Sequence, residues 1–180
     1  MSTVTDTLAR WNFVSAVAAS NEILPCCGSW EWAKTMAARR PFANEDVFLD
    51  SADEIWRGLL ESDWLEALGS HPRIGESRIG SPAESHQVIP QSAAWSDEEQ
   101  RKVSLAEDSA KLALAEGNQK YETRFKRIFI VCASGKSAQE ILDILRRRLE
   151  NDPQVEFQEA VEEQRKITRI RLKKWLRGPQ

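Results

Sequence analysis

The chain has 180 residues, 41% hydrophobic and 29% charged, with a formal net charge of −3. The length suits one domain with a sizeable core, the composition excludes a disordered chain, and the negative charge argues against a general nucleic-acid or membrane-surface binder. Three cysteines, two of them adjacent at Cys26 and Cys27, make neither a disulfide framework nor a zinc site, and no apolar run is long enough to span a bilayer.

Leu8 to about Ala19 reads as a helix, with Leu8, Trp11, Phe13, Val14, Val17 and Ala18 at roughly helical spacing. Before it, Met1–Asp6 lacks the basic start and apolar stretch of a signal peptide. Asn21–Gly28 carries Pro25 and reads as a break. Ser29 can cap a second helix to Arg39, ended by Arg40-Pro41-Phe42. Asn44 can cap a third, with Val47, Phe48, Ala52, Ile55, Trp56, Leu59 and Leu60 as its stripe. Ser62 can cap a short fourth with Trp64, Leu65 and Leu68 buried. Residues 70–95, with four residues of proline or glycine by Pro82 and another at Pro90, show no sustained periodicity. A loop of that length inside a compact domain is usually functional. Ser96-Asp97-Glu98-Glu99 then fits a capping box, opening a helix to about Gly117. Asn118 starts another, with Tyr121, Phe125, Ile128, Phe129 and Cys132 as its stripe; Ile128–Val131 is β-prone, but no partner strand is evident. Ser137–Glu140 forms a second capping box before Ile141, Leu142, Ile144, Leu145 and Leu149, and Asp152-Pro153 starts a last helix to about Leu176. The expectation is an all-α fold, a single compact domain of about eight helices with a long functional loop near residues 70–95. The C-terminus is no peroxisomal address, and the cysteine usage suits a reducing, cytoplasmic setting.

Three side chains on three separate elements can carry chemistry. His71, one of two histidines, follows the helix that ends at Gly69 and is held by Pro72, which confines it to extended conformations. Histidine titrates near neutral pH, and a stiffly mounted imidazole suits proton transfer; it can equally be a packed core residue behind a helix-stopping proline. Glu99 caps its own helix, but the same N-terminus offers N–H groups to an anion beside Ser96, with Glu99 and Gln100 facing it. Arg171 falls within the apolar stripe of Phe157, Val161, Thr168 and Trp175. Buried arginine wants a carboxylate or an anionic ligand; the alternatives to a ligand contact are an internal ion pair and a side chain that snorkels out past Trp175. Arg146-Arg147-Arg148 and the basic C-terminal run, with Glu156, Glu159, Glu162 and Glu163 before it, read as solvated helix faces. There is no metal site and no nucleotide loop. This set suits a cofactor-free acid/base enzyme acting on an anionic small molecule; a non-catalytic helical module that binds a small anion or a partner helix explains the helices and caps equally well.

Matching pieces run in order along nearly the whole chain: Cys27-Gly28-Ser29 with Trp32 and Met36, Arg40-Pro41-Phe42, Asp63-Trp64, His71-Pro72-Arg73-Ile74-Gly75, Trp95-Ser96 with Glu99-Gln100, Asn118 with Tyr121 and Phe125, Phe129–Ala133 with Gly135-Lys136-Ser137, Arg148-Leu149, Glu163 with Lys166-Ile167, and Arg171-Leu172. In this ordered set the sequence resembles the OHCU (2-oxo-4-hydroxy-4-carboxy-5-ureidoimidazoline) decarboxylases of urate degradation. The resemblance implies an all-α enzyme, usually a homodimer, that needs no metal or organic cofactor. It implies His71 as proton donor with Glu99 and Arg171 as its catalytic partners. It also implies a substrate pocket lined by Pro72, by Ser96, Asp97, Glu98, Glu99 and Gln100, and by the backbone of Arg127, Ile128, Phe129, Ile130 and Val131. The stretch between His71 and Ser96 looks longer than in many members of the family.

Overall fold

Helices α1 (Thr3–Phe13), α2 (Ala16–Cys27), α3 (Trp30–Ala38), α4 (Glu45–Arg57), α5 (Glu61–Gly69), α6 (Asp108–Phe125), α7 (Ala138–Leu149) and α8 (Pro153–Arg177) carry the chain in the computed structural model, which describes residues 3–72 and 108–178. No strand occurs among the described residues, as the all-α reading expects, and none of their helices is long and apolar enough to cross a membrane. The chain groups into two units, one of residues 1–67 with 165–180 and one of residues 68–164.

The first unit is built on aromatic side chains. Trp11, Phe42 and Phe48 are buried, and Trp11 and Phe48 each meet the Trp175 ring, at 5.8 and 5.6 Å between centroids. The buried indole N–H groups are satisfied: Trp11 donates to the Ala19 carbonyl and Trp32 to the Ala52 carbonyl. The single helix expected over Leu8–Ala19 is in fact two. Arg40 Nη1 collects the carbonyls of Trp11 (2.6 Å) and Val14 (2.8 Å), while Ser15 caps a new helix by accepting from the Ala18 N–H. The change of axis leaves Phe13 and Val17 exposed instead of in a core stripe. The break expected over Asn21–Gly28 is helical. Pro25 removes only one donor near the helix end, and Ala19, Ile23, Leu24, Cys26 and Cys27 bury a face that carries the helix through it. Gly28 stops it, at φ 87°.

Ser29 and Asn44 cap α3 and α4 as the sequence predicts. The α4 face consists of Phe48, Leu49, Ala52, Ile55 and Trp56, whereas Val47 and Leu60 are exposed. Ser62 does not cap α5: the Leu60 N–H is taken by the Asp63 carboxylate, and the helix starts at Glu61, two residues earlier than a Ser62 cap would set it. Trp64 is half-buried and Leu65 exposed, leaving Ala67 and Leu68 as the buried pair.

In the second unit α6 and α7 enclose Leu114, Tyr121, Phe125, Phe129, Val131, Ile141, Leu142 and Leu145. The helix expected to end at Gly117 runs through it. A Cβ there would lie 2.6 Å from Leu145 Cδ2, so this glycine serves close packing of α6 on α7. The stripe expected to continue through Ile128, Phe129 and Cys132 instead leaves the helix at Phe125. Lys126 turns the backbone at φ 57°, and residues 128–133 run without regular structure. The Ser137–Glu140 capping box is present, and Asp152 accepts from the Gln154 N–H at the start of α8. The capping box at Ser96–Glu99 lies outside the described residues.

Candidate active site

His71 follows α5 by two residues and belongs to the 68–164 unit. Ser70 and His71 are 5% and 9% exposed, and Pro72 is half-buried. The imidazole is thus withdrawn from bulk water while the proline limits its backbone, a setting in which a proton carrier keeps one orientation.

The same unit contains Arg127–Val131. Phe129, Ile130 and Val131 are 2–4% exposed, and Arg127 and Ile128 are half-buried. Buried backbone is almost always hydrogen-bonded. Here the backbone of Ile128–Val131 makes one such bond among the described residues, from Arg148 Nη1 to the Ile130 carbonyl at 2.6 Å. Its neighbour is tied more fully: the Cys132 N–H donates to Glu163 (2.7 Å), and Lys136 Nζ donates to the Cys132 carbonyl (2.7 Å). The segment is therefore gripped at Ile130 and Cys132, and its other amide and carbonyl groups have no hydrogen-bond partner among the described residues.

Arg148 corrects the expectation of a solvated arginine run. It and Glu156 are fully buried, with Nε and Nη2 on Glu156 Oε1 at 2.9 and 2.5 Å. Asn151 donates to Glu156 Oε2 at 2.8 Å, and the Tyr121 hydroxyl donates to Oε1. Burial pushes the Tyr121 hydroxyl far above the ordinary phenol range, the Arg148 charge opposes this, and the Glu156 bond reinforces it. Tyr121 is a fixed donor, not a base. The sequence held a trace of this: Arg148 follows Ile141 and Leu145 by seven and three residues, on the buried face of α7.

Arg171 belongs to the other unit and is 0% exposed, as its place in the apolar stripe predicts. Its positive charge acts on Cys26 and Cys27, but burial outweighs it: the Cys27 thiol is pushed up to about 12 and Cys26 further. Neither thiol is a nucleophile at neutral pH. Two of the basic residues expected to be solvated, Arg165 and Arg169, both reach Asp53 Oδ2 at 2.8 Å. Glu99 and its neighbours Ser96, Asp97, Glu98 and Gln100 lie outside the described residues. No group of three or more histidines, cysteines or carboxylates among the described residues is placed to hold a metal ion.

The family model for OHCU decarboxylase matches residues 12–173. The chain belongs to the OHCU decarboxylase family. The matched span includes every candidate residue from His71 to Arg171. The chain is 38% identical over 152 residues to the uric acid degradation bifunctional protein TTL of Arabidopsis thaliana, covering 83% of this chain and 44% of that protein. Over 62 residues it is 40% identical to a 2-oxo-4-hydroxy-4-carboxy-5-ureidoimidazoline decarboxylase of Amia calva, covering 34% and 35%. It spans less than half the length of these curated relatives. Among solved structures, a crystal structure of OHCU decarboxylase in the presence of (S)-allantoin superposes with a TM-score of 0.70 at 36% identity, covering 86% of this chain and 96% of that one. A crystal structure of (S)-allantoin synthase shares the fold, with a TM-score of 0.66 at 17% identity, covering 96% and 53%.

Proposed function

We propose that the protein removes the carboxylate of 2-oxo-4-hydroxy-4-carboxy-5-ureidoimidazoline to give (S)-allantoin and CO2, without a cofactor, as a homodimer in the cytoplasm. The observation that carries this reading is the likeness to a decarboxylase solved with allantoin, over almost the whole of that protein. The buried backbone of Ile128–Val131 supports it: most of its amides and carbonyls have no partner among the described residues, and the substrate is a heterocycle rich in both donors and acceptors.

The chemistry follows from what the substrate supplies. When the bond to the carboxylate breaks, its electron pair moves into the ring and onto the adjacent imine, so no external electron sink is required. The imine nitrogen that receives the pair takes up a proton, and the hydroxyl beside the leaving carboxylate gives up its own as it becomes the ring carbonyl. The ring carbon bearing the ureido group gains a proton. In this assignment His71 delivers that proton to one face and so sets the configuration. Glu99 hydrogen-bonds the hydroxyl or the ureido group, and Arg171 orients an anionic or carbonyl oxygen. Pro72, Ser96–Gln100 and Arg127–Val131 line the pocket.

Freshly oxidised urate, followed by circular dichroism with and without the protein, tests the reading. Optically active allantoin should appear faster with it, and His71→Ala should slow that appearance by about 10²–10⁴-fold, the usual worth of a general acid or base. No acceleration by the intact protein would leave a non-catalytic helical module that binds a small anion. Sedimentation at micromolar concentration tests the homodimer, which should run at twice the 20.5 kDa chain mass.

A further inference from the structure

Three arginines in the 68–164 unit lie against aromatic rings, Arg124 over Phe125 at 5.3 Å, Arg127 and Arg148, and of these Arg148 alone holds a carboxylate among the described residues. Arg148 lies 4.7 Å from the Phe129 ring centroid and 5.9 Å from that of Tyr121, with its Nε and Nη2 on Glu156. Arg127 is set between Phe157 and Phe125 in the same way, 5.2 and 5.6 Å from their centroids. Its Nη1 reaches the Phe125 carbonyl at 3.5 Å, the limit of a hydrogen bond. Its Nε and Nη2, the pair that Arg148 uses for Glu156, are buried and meet no partner among the described residues.

The surroundings of Arg127 deepen the contrast. Arg146, Arg147 and Arg148 are paired with Asp143, Glu159 and Glu156. Arg124, Lys126 and Arg127, three cations within four residues, make no ion pair among the described residues. A guanidinium keeps its charge throughout the physiological range, so a screened and uncompensated fork is an unfavourable arrangement unless a ligand completes it. The two rings pack against the guanidinium, and the neighbouring cations Arg124 and Lys126 favour an anion. The spacing of Nε and Nη2 matches the two oxygens of a carboxylate.

We propose that Arg127 holds the carboxylate of the substrate side-on through Nε and Nη2, with the amides of the following segment beside it. This rests on the decarboxylase reading above. The carboxylate carries its charge in the bound substrate and leaves as neutral CO2, so the contact is strongest before the bond breaks. Arg127 therefore acts on capture of the substrate, not on the rate of the chemical step.

Steady-state kinetics of the full-length wild type, Arg127→Met and Arg127→Lys, with inhibition by (S)-allantoin, test this. Arg127→Met should raise KM about 10-fold or more with kcat within about 3-fold of wild type. Inhibition by allantoin, which has no carboxylate, should be unchanged. Its Tm should not fall, because the variant replaces an uncompensated buried charge with an apolar chain of similar length. Arg127→Lys keeps the charge and loses the fork, and should fall between the two in KM. An active Arg127→Met enzyme with an unaltered KM overturns the assignment alone. So does a variant that loses Tm and allantoin inhibition together with substrate affinity, which would make Arg127 structural. A wild type that does not accelerate allantoin formation sinks the decarboxylase reading itself, and this assignment with it.

Discussion

Buried charge is handled differently in the two units. In the unit of residues 1–67 and 165–180, one carboxylate serves two cations: Asp53 lies between Arg165 and Arg169, with side chains 12%, 18% and 32% exposed. Water reaches all three, and either arginine can stand in for the other. In the 68–164 unit the Arg148–Glu156 pair is dry, and both oxygens of Glu156 are used: Tyr121 joins Arg148 on Oε1, and Asn151 takes Oε2. That network also fixes the Ile130 carbonyl, so it determines where the irregular segment runs. The lesson is that a rim ion pair is interchangeable, whereas a dry one dictates backbone position. A buried cation that such a network leaves over, as it leaves Arg127, is the place to expect a ligand.

Removing one cation from each unit is the strongest way to break this comparison. Arg148→Ala strands Glu156 in the interior and should lower unfolding free energy by about 3–5 kcal/mol in urea denaturation. Arg165→Ala leaves Asp53 paired with Arg169 in partial contact with water and should lose less than about 1 kcal/mol. Equal losses would mean that the degree of burial does not separate the two pairs. An intermediate effect is expected at Gly117. The added methyl of Gly117→Ala meets Leu145, which is itself 0% exposed and has little room to yield, so about 1–3 kcal/mol should be lost despite the better helix propensity of alanine. A gain in Tm would show that α6 and α7 can part locally at no cost.

How much of this was legible in the sequence depended on the range of the interaction. The caps at Ser29, Asn44, Ser137 and Asp152 were readable because an N-cap and the N–H it satisfies lie within three residues. The break between α1 and α2 was not, because its cause is Arg40, 26 residues beyond the Val14 carbonyl it binds. Gly117 looked like a helix end because Leu145, the reason for a glycine there, is distant in the chain. At the candidate site, the burial of Arg171 followed from its place in the stripe. Arg148 and Glu156 were hidden in charge runs that ordinarily face water, and only their pairing makes their burial tolerable. Arg127–Val131 came from family resemblance, since periodicity wrongly continued α6 through it.

The smallest expected effect bears on why that helix stops where it does. Lys126 is the residue at which α6 gives way to the irregular segment, and at φ 57° it is the described residue other than glycine with a left-handed backbone. Its N–H still donates to the Glu122 carbonyl at 2.9 Å, and its side chain is exposed, so neither packing nor a side-chain bond explains lysine at this position. A Cβ in this conformation costs about 1 kcal/mol, and glycine avoids that cost while adding some freedom to the unfolded chain. Lys126→Gly should therefore gain up to about 0.5–1 kcal/mol in unfolding free energy. Kinetics on the same variant then separate two roles for the turn. An unchanged KM would make the left-handed lysine a local strain with no bearing on the segment beyond it. A KM that rises while stability improves would mean that the stiff lysine backbone holds Arg127–Val131 in its binding position, with stability given up for a site that is set before the substrate arrives.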